Sequence, residues 1–155
     1  MIIAMEQFLV GIWLGVFGLV AGSFSGATVW RLRAHQLEED KAEGEKVKAG
    51  EYNRLKRLLG KSFTTDRSMC LSCHHQLQWY DLIPLISWVS LGGKCRYCRK
   101  PIGSMEPLVE LGTAVFFVGS FIFWPTPLGS PVELIEFGLW LTIGVGLIIL
   151  FVYGH

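Results

Sequence analysis

Four cysteines are the residues in this 155-residue chain whose type and spacing most clearly predict chemistry. They form two CxxC pairs separated by 21 residues, Cys70 with Cys73 and Cys95 with Cys98. Two such pairs can bring four thiolates to one tetrahedral Zn²⁺. Four thiolates leave no open coordination position, so the predicted zinc is structural and not catalytic. Free or redox-active thiols are the alternative, and His74 or His75 could replace a cysteine as ligand.

Three carboxylates near the cysteines are candidates for acid–base chemistry. Asp81 lies between the cysteine pairs in an apolar, aromatic segment, where it either acts in catalysis or caps a turn before Pro84. Glu106 and Glu110 are four residues apart and would share one helix face. Two close carboxylates can share a proton as an acid–base pair. Alternatively, one remains in interfacial water and Glu110 pairs with an Arg or Lys of the loop.

The charge distribution indicates a membrane protein with one basic loop. All 14 Lys and Arg residues fall within residues 31–100, together with most of the 13 acidic residues. Long apolar runs occupy residues 8–29, 108–124 and 135–153. The first run is 22 residues long, which as a helix is roughly 33 Å and enough to cross a bilayer core. It is too long for a signal peptide and has no basic residue before it, so we predict a retained transmembrane helix.

The basic loop predicts the orientation in the membrane. Cationic loops stay in the cytoplasm, so the loop that begins at Arg31 should lie there. The cytoplasm is reducing, which disfavours disulfides and favours a metal site. Acidic residues are interspersed among the basic ones, so we expect the partner of this surface to be a lipid bilayer and not nucleic acid.

Two further patterns each leave two interpretations open. Residues 51–59 predict a short amphipathic helix that either rests on the anionic inner leaflet or belongs to a solvated charged insertion. The first span carries glycines at four-residue spacing. These glycines predict a helix that is closely packed against others, or are ordinary membrane glycines: Gly11, Gly15, Gly18, Gly22 and Gly26.

Five motifs in this order resemble the N-terminal part of prepilin peptidases, the type IV leader peptidases of the A24 aspartic class. They are Gly22-Ser23-Phe24, Cys70-Leu71-Ser72-Cys73, Asp81-Leu82-Ile83-Pro84-Leu85-Ile86-Ser87-Trp88, Gly93-Lys94-Cys95-Arg96-Tyr97-Cys98 and Pro107-Leu108-Val109-Glu110-Leu111. The resemblance covers about residues 10–111 apart from the charged insertion. The span at 135–153 fits the next helix of the family.

The resemblance implies an aspartic endopeptidase of the bacterial inner membrane. Such enzymes cleave the leaders of prepilins and pseudopilins, in type IV pilus and type II secretion systems, on the cytoplasmic side. Many then methylate the new N-terminus with S-adenosylmethionine. Family catalysis uses two aspartates on later helices, one of them in a GxGD motif. This chain has no GxGD motif and no aspartate after Asp81, so no catalytic residue can be placed on it. Gly26 and Leu71 also depart from the family's usual polar amide and proline.

We therefore predict an all-α polytopic membrane protein with three transmembrane helices and a cytoplasmic four-cysteine zinc-knuckle loop. Its predicted segments are a first helix at 1–33, a charged insertion at 34–67, a zinc-knuckle module at 68–106 and two further helices at 107–155. The predicted function is that of the N-terminal part of a prepilin peptidase, inactive alone and completed by a C-terminal catalytic segment or a second chain. The alternatives are a non-enzymatic zinc-knuckle membrane adaptor and one half of a split peptidase.

Overall fold

The computed structural model describes residues 2–59 and 68–154, in which the regular elements are helices joined by turns and loops. No strand occurs in this part of the chain, only two isolated bridges. The helices are α1 (Ile2–Ala42), α2 (Ala49–Leu55), α3 (Ile86–Ser90), α4 (Met105–Ile122) and α5 (Pro131–Tyr153). Short 3₁₀ helices occur at Lys56–Leu58 and Trp79–Leu82. The predicted all-α class is confirmed.

In the described part of the chain, three helices are long and apolar enough to cross a membrane, at Met5–Ala42, Met105–Ile122 and Pro131–Tyr153. They match the three predicted spans, although the second helix ends at Ile122, two residues before the predicted end at 124. In α5 only Phe137 is buried, so its apolar side chains are directed outward, as expected of a helix surrounded by lipid. Ser130 and Glu133 form a capping box at the start of α5, which satisfies backbone N–H groups that the helix itself leaves unpaired.

Two glycines allow α1 and α4 to pack at close range. A Cβ atom on Gly18 would lie 2.6 Å from Cα of Ala114, and one on Gly22 would lie 2.6 Å from Cα of Glu110. Any side chain larger than hydrogen would therefore push the helices apart. The glycine-packing interpretation is correct for this pair, whereas a Cβ atom on Gly11 would meet nothing within 4 Å.

The predicted amphipathic helix packs on the C-terminal part of α1, beyond the predicted membrane span. The helix α1 continues to Ala42, beyond the end predicted for the first span, and α2 folds back against it. Ala34, Leu37 and Leu55 form a buried cluster. The Nε atom of Arg33 donates to Glu51 Oε1 at 2.9 Å.

The apolar side of α2 therefore faces α1, and neither the membrane-surface nor the fully solvated interpretation applies to Leu55. Leu71 of the cysteine module (residues 68–106) packs against the same cluster, so the insertion and this module are in contact. The remainder of the predicted insertion, 60–67, lies outside the described residues.

Candidate metal centre

The first cysteine pair lies in a tight turn that is closed by its own backbone. The N–H of His74 donates to the carbonyl of Cys70 at 2.8 Å, and the N–H of Cys70 donates to the carbonyl of His75 at 3.0 Å. His74 has φ of 59°, a left-handed conformation that reverses the chain just after Cys73. The turn thereby holds both sulfur atoms on one side of the backbone.

The second pair repeats this turn with different side chains. The N–H of Arg99 donates to the carbonyl of Cys95 at 3.0 Å, and the N–H of Cys95 donates to the carbonyl of Lys100 at 2.9 Å. Arg99 has φ of 58°, directly after Cys98. Two equivalent turns therefore face each other, each presenting two thiols.

The four sulfur atoms converge on one point. All of them lie within 4.8 Å of one another, and the sulfur atoms of Cys70 and Cys98 are 3.9 Å apart. Tetrahedral zinc with Zn–S bonds of about 2.3 Å requires sulfur atoms about 3.8 Å apart. All four cysteines are free thiols, so the arrangement fits a tetrahedral thiolate site for a divalent metal.

Backbone N–H groups already point at the sulfur atoms. The N–H of Ser72 lies 3.4 Å from Sγ of Cys70, although burial raises the pKa of that thiol to about 12. Burial also acts to raise the pKa of Cys95, but the backbone N–H groups of Cys98 and Tyr97 and the neighbouring thiols lower it to about 7. N–H donors around sulfur stabilise thiolate over thiol, as a metal site requires.

The two histidines lie beside the cluster, and the potential metal-binding group found among the described residues contains cysteines alone. His75 stacks on Tyr97 with ring centroids 3.7 Å apart. His74 occupies the left-handed position of the first turn. The alternative in which a histidine replaces a cysteine therefore receives no support from the geometry.

Asp81 joins the segment between the turns to the second turn. Its carboxylate accepts hydrogen bonds from Nε of Arg96 at 2.7 Å and from the hydroxyl of Tyr97 at 3.0 Å. It also accepts from the N–H of Gln78 at 3.2 Å, within a capping box on the 3₁₀ helix at Trp79–Leu82. Burial acts to raise the pKa of Asp81, but these donors outweigh it and lower the pKa. The structure supports the capping interpretation.

Glu110 lies where the cysteine module meets α1 and α4. Its Oε2 accepts a 2.8 Å hydrogen bond from the N–H of Leu85, and the side chain of Ser23 on α1 lies near its carboxylate. Leu85 has φ of 56°, and the N–H of Ile86 bonds back to the carbonyl of Pro84. This is a γ-turn of the rare, strained kind.

This role of Glu110 was not predicted from the sequence. Its partner is the N–H of Leu85 in a turn with positive φ, and a leucine gives no signal of such a turn. Among the described residues, the hydrogen-bond donor to the Glu110 carboxylate is the backbone N–H of Leu85, not the loop cation considered from the sequence.

Glu106 has a different environment from Glu110. Its Oε1 accepts a 3.1 Å hydrogen bond from Nε1 of Trp30 on α1, while its Oε2 is buried without a hydrogen-bond partner among the described residues. The two carboxylates are therefore held by separate donors and do not form a symmetric pair. Trp30 was not singled out from the sequence, although an aromatic residue at the end of a membrane span is a recognisable signal.

The chain is similar to known proteins over most of its length. Residues 16–124 match the family model described as Bacterial Peptidase A24 N-terminal domain. A "Type 4 prepilin-like proteins leader peptide-processing enzyme" of Escherichia coli O78:H11 is 36% identical over 110 residues, covering 71% of this chain and 38% of the relative.

Two proteins that carry the name "Prepilin leader peptidase/N-methyltransferase" are also similar. The one from Burkholderia pseudomallei strain 1026b is 34% identical over 134 residues, covering 80% of this chain and 39% of the relative. The one from Pseudomonas aeruginosa is 33% identical over 116 residues, covering 70% of this chain and 36% of the relative. The chain thus spans less than two fifths of the length of these relatives. No solved structure matches.

Proposed function

The chain belongs to the bacterial peptidase A24 N-terminal domain family, and from this premise we propose that it is the N-terminal part of a prepilin leader peptidase. In this proposal it supplies the membrane anchor and the substrate-positioning module, while aspartates outside residues 1–155 hydrolyse the leader peptide. The names of the relatives support the substrate class. The proposed segments are the first membrane helix at 1–33, the insertion at 34–67, the cysteine module at 68–106 and the two helices at 107–155.

We propose that the resident metal is zinc, held by Cys70, Cys73, Cys95 and Cys98. The observation that carries this assignment is the convergence of four free thiols within 4.8 Å. Bound zinc would serve as a structural cross-link between the two turns, because four thiolates saturate it. The positions of Asp81 and of the γ-turn at Leu85 would then depend on the metal, since both lie in the segment between the turns.

We propose that the cysteine module lies on the cytoplasmic face of the bacterial inner membrane. The confinement of all 14 Lys and Arg residues to positions 31–100 supports this orientation. The module would hold the prepilin or pseudopilin leader at the point where the substrate polypeptide leaves the bilayer. Where the complete protein also methylates the new N-terminus, S-adenosylmethionine would be the methyl donor, in keeping with the N-methyltransferase name of the relatives.

The test is binding of a prepilin leader peptide by the purified chain in lipid nanodiscs. A fluorescent peptide with the leader and the first mature residues should bind the zinc-loaded protein, and a chelator should weaken that binding at least tenfold. A peptide with its leader residues in scrambled order is the matched control. Equal binding with and without zinc, or of both peptides, contradicts the proposal, and a lack of metal in the purified protein contradicts the zinc assignment.

A further inference from the structure

A cavity of about 220 Å³ lies between the cysteine module and the cytoplasmic ends of the membrane helices. We term it the junction cavity. Its walls come from α1, from the segments around both cysteine turns and from the start of α4, including Gly26, Trp30, Trp88, Glu106 and Glu110. The cavity lies at the ends of two helices that we propose cross the membrane, where a peptide would emerge from the bilayer.

The α1 wall is lined by small residues. Gly22, Ser23, Gly26 and Ala27 all border the cavity. Gly26 is buried, yet a Cβ atom added to it would meet nothing within 4 Å. A buried position with open space in front of it faces the cavity, so an apolar peptide could approach the backbone of α1 closely here.

The opposite wall has polar atoms without partners. Oε2 of Glu106 and Nε1 of Trp88 are both buried and have no hydrogen-bond partner among the described residues. Burying an unpaired carboxylate oxygen is costly, so such a group attracts a donor, above all a cationic one. The other carboxylates at the cavity already have donors: Asp81 accepts from Arg96 and Tyr97, and Glu110 accepts from the N–H of Leu85.

Among the described residues, the cations that border the cavity are Arg31 and Arg54, and neither is bonded to Oε2 of Glu106. The guanidinium of Arg54 lies over the ring of Trp30, 5.6 Å from its centroid, and Arg31 also borders the cavity but is engaged in an interaction of its own. Oε1 of Glu106 is fixed by Trp30. The carboxylate is therefore held in place by Trp30, and its second oxygen has no donor although Glu106 borders the cavity that a ligand would enter.

We propose that the junction cavity binds the α-ammonium group of a peptide N-terminus, with Glu106 as its counter-ion. The inference rests on the proposed function, because removal of a prepilin leader creates a new α-amino group and the relatives are named N-methyltransferases. An α-amino group has a pKa of about 8, so at neutral pH most of it is the ammonium form that a carboxylate binds. The small residues of α1 would accommodate the apolar chain that follows.

The experiment measures binding of three fluorescent peptides to the zinc-loaded chain in nanodiscs free of phosphatidylethanolamine. The peptides are an apolar peptide with a free N-terminus, its N-acetylated form and the leader-bearing peptide. The free-amine peptide should bind at least tenfold more tightly than the acetylated one, which corresponds to about 1.4 kcal/mol. Its binding should weaken between pH 7 and pH 9, as the ammonium loses its proton.

Glu106→Gln tests the negative charge of Glu106 separately from its hydrogen bond, because glutamine can still accept the hydrogen bond from Trp30. This variant should remove most of the preference for the free amine, while Glu43→Gln, an exposed position at the end of α1, should preserve it. Equal binding of free and acetylated peptides, or an unchanged preference in Glu106→Gln, overturns the inference.

If the leader-bearing peptide still binds in that case, only the inference has failed; if it does not bind either, the proposed function has failed. Loss of free-amine binding on adding phosphatidylethanolamine would assign the cavity to a lipid headgroup and also overturn the inference.

Discussion

The N–H of Leu85 and the carboxylate of Glu110 are joined by a 2.8 Å hydrogen bond between the cysteine module and a membrane helix. The donor lies in a strained γ-turn with φ of 56°, and the acceptor is a nearly buried side chain of α4, 8% exposed. Strained turns persist where surrounding contacts determine them. This hydrogen bond therefore links the module to α4, in addition to the packing of Leu71 against α1 and α2.

Glu110→Ala should release the module from α4 without loss of metal. The variant leaves the N–H of Leu85 without its acceptor, which costs about 1–3 kcal/mol. Hydrogen exchange at residues 83–87 should accelerate, while zinc content stays unchanged. Glu110→Gln should behave much like the parent, because its amide oxygen can accept from Leu85, and Glu136→Ala on the exposed side of α5 is the control. Unchanged exchange in Glu110→Ala would show that the contact does not hold the module.

Asp81→Asn should destabilise the module at neutral pH. The Asp81 carboxylate is bonded to Arg96 and Tyr97, and only 4% of its side chain is exposed. Hydrogen bonds to charged groups contribute about 1.5–3 kcal/mol, so the variant should lose protease resistance around Arg96 and melt at a lower temperature.

The pH dependence of this effect follows from the direction of the pKa shift. The pKa of Asp81 lies below its usual value of 3.8 in the folded chain. The stabilisation is therefore complete above the unfolded pKa and is lost only as pH falls through the lower folded one. The difference in melting temperature between the parent and Asp81→Asn should be equal at pH 6 and pH 8. A difference that changes across this range contradicts the assignment.

The sequence predicted the parts of this fold that depend on local pattern. Apolar run length gave three spans, and the CxxC spacing gave four converging thiols, because both follow from short-range geometry. The γ-turn at Leu85 was not predictable, since leucine disfavours positive φ and only the tertiary contact with Glu110 stabilises it. The packing of α2 against α1 was also not predictable, because an apolar helix face does not identify the element that covers it.

Removing one thiol should release the metal and loosen both turns together. Cys95→Ser replaces the one fully buried cysteine with a weaker ligand, and structural zinc typically contributes about 10–16 kcal/mol to folding. Elemental analysis should find metal in the parent and little in the variant, and proteolysis should cut within residues 68–106 while the membrane helices keep their circular dichroism. Ser72→Ala, between two cysteines, is the control, since its contribution to the site is a backbone N–H. Full metal content in Cys95→Ser would exclude a four-cysteine site.

Gly22→Ala should weaken the packing of α1 on α4, although alanine is the better helix former. Its Cβ would lie 2.6 Å from Cα of Glu110, so the helices must separate or tilt. Gly11→Ala on the same helix meets nothing within 4 Å and should be neutral or slightly stabilising. In detergent, the melting temperature of Gly22→Ala should be clearly below those of both the parent and Gly11→Ala.

The displacement in Gly22→Ala should also reach the cysteine module, because Glu110 accepts the hydrogen bond from the N–H of Leu85. Hydrogen exchange at Leu85 should therefore rise in Gly22→Ala alone. Equal melting temperatures for the two variants would show that α1 and α4 are not in close contact at Gly22.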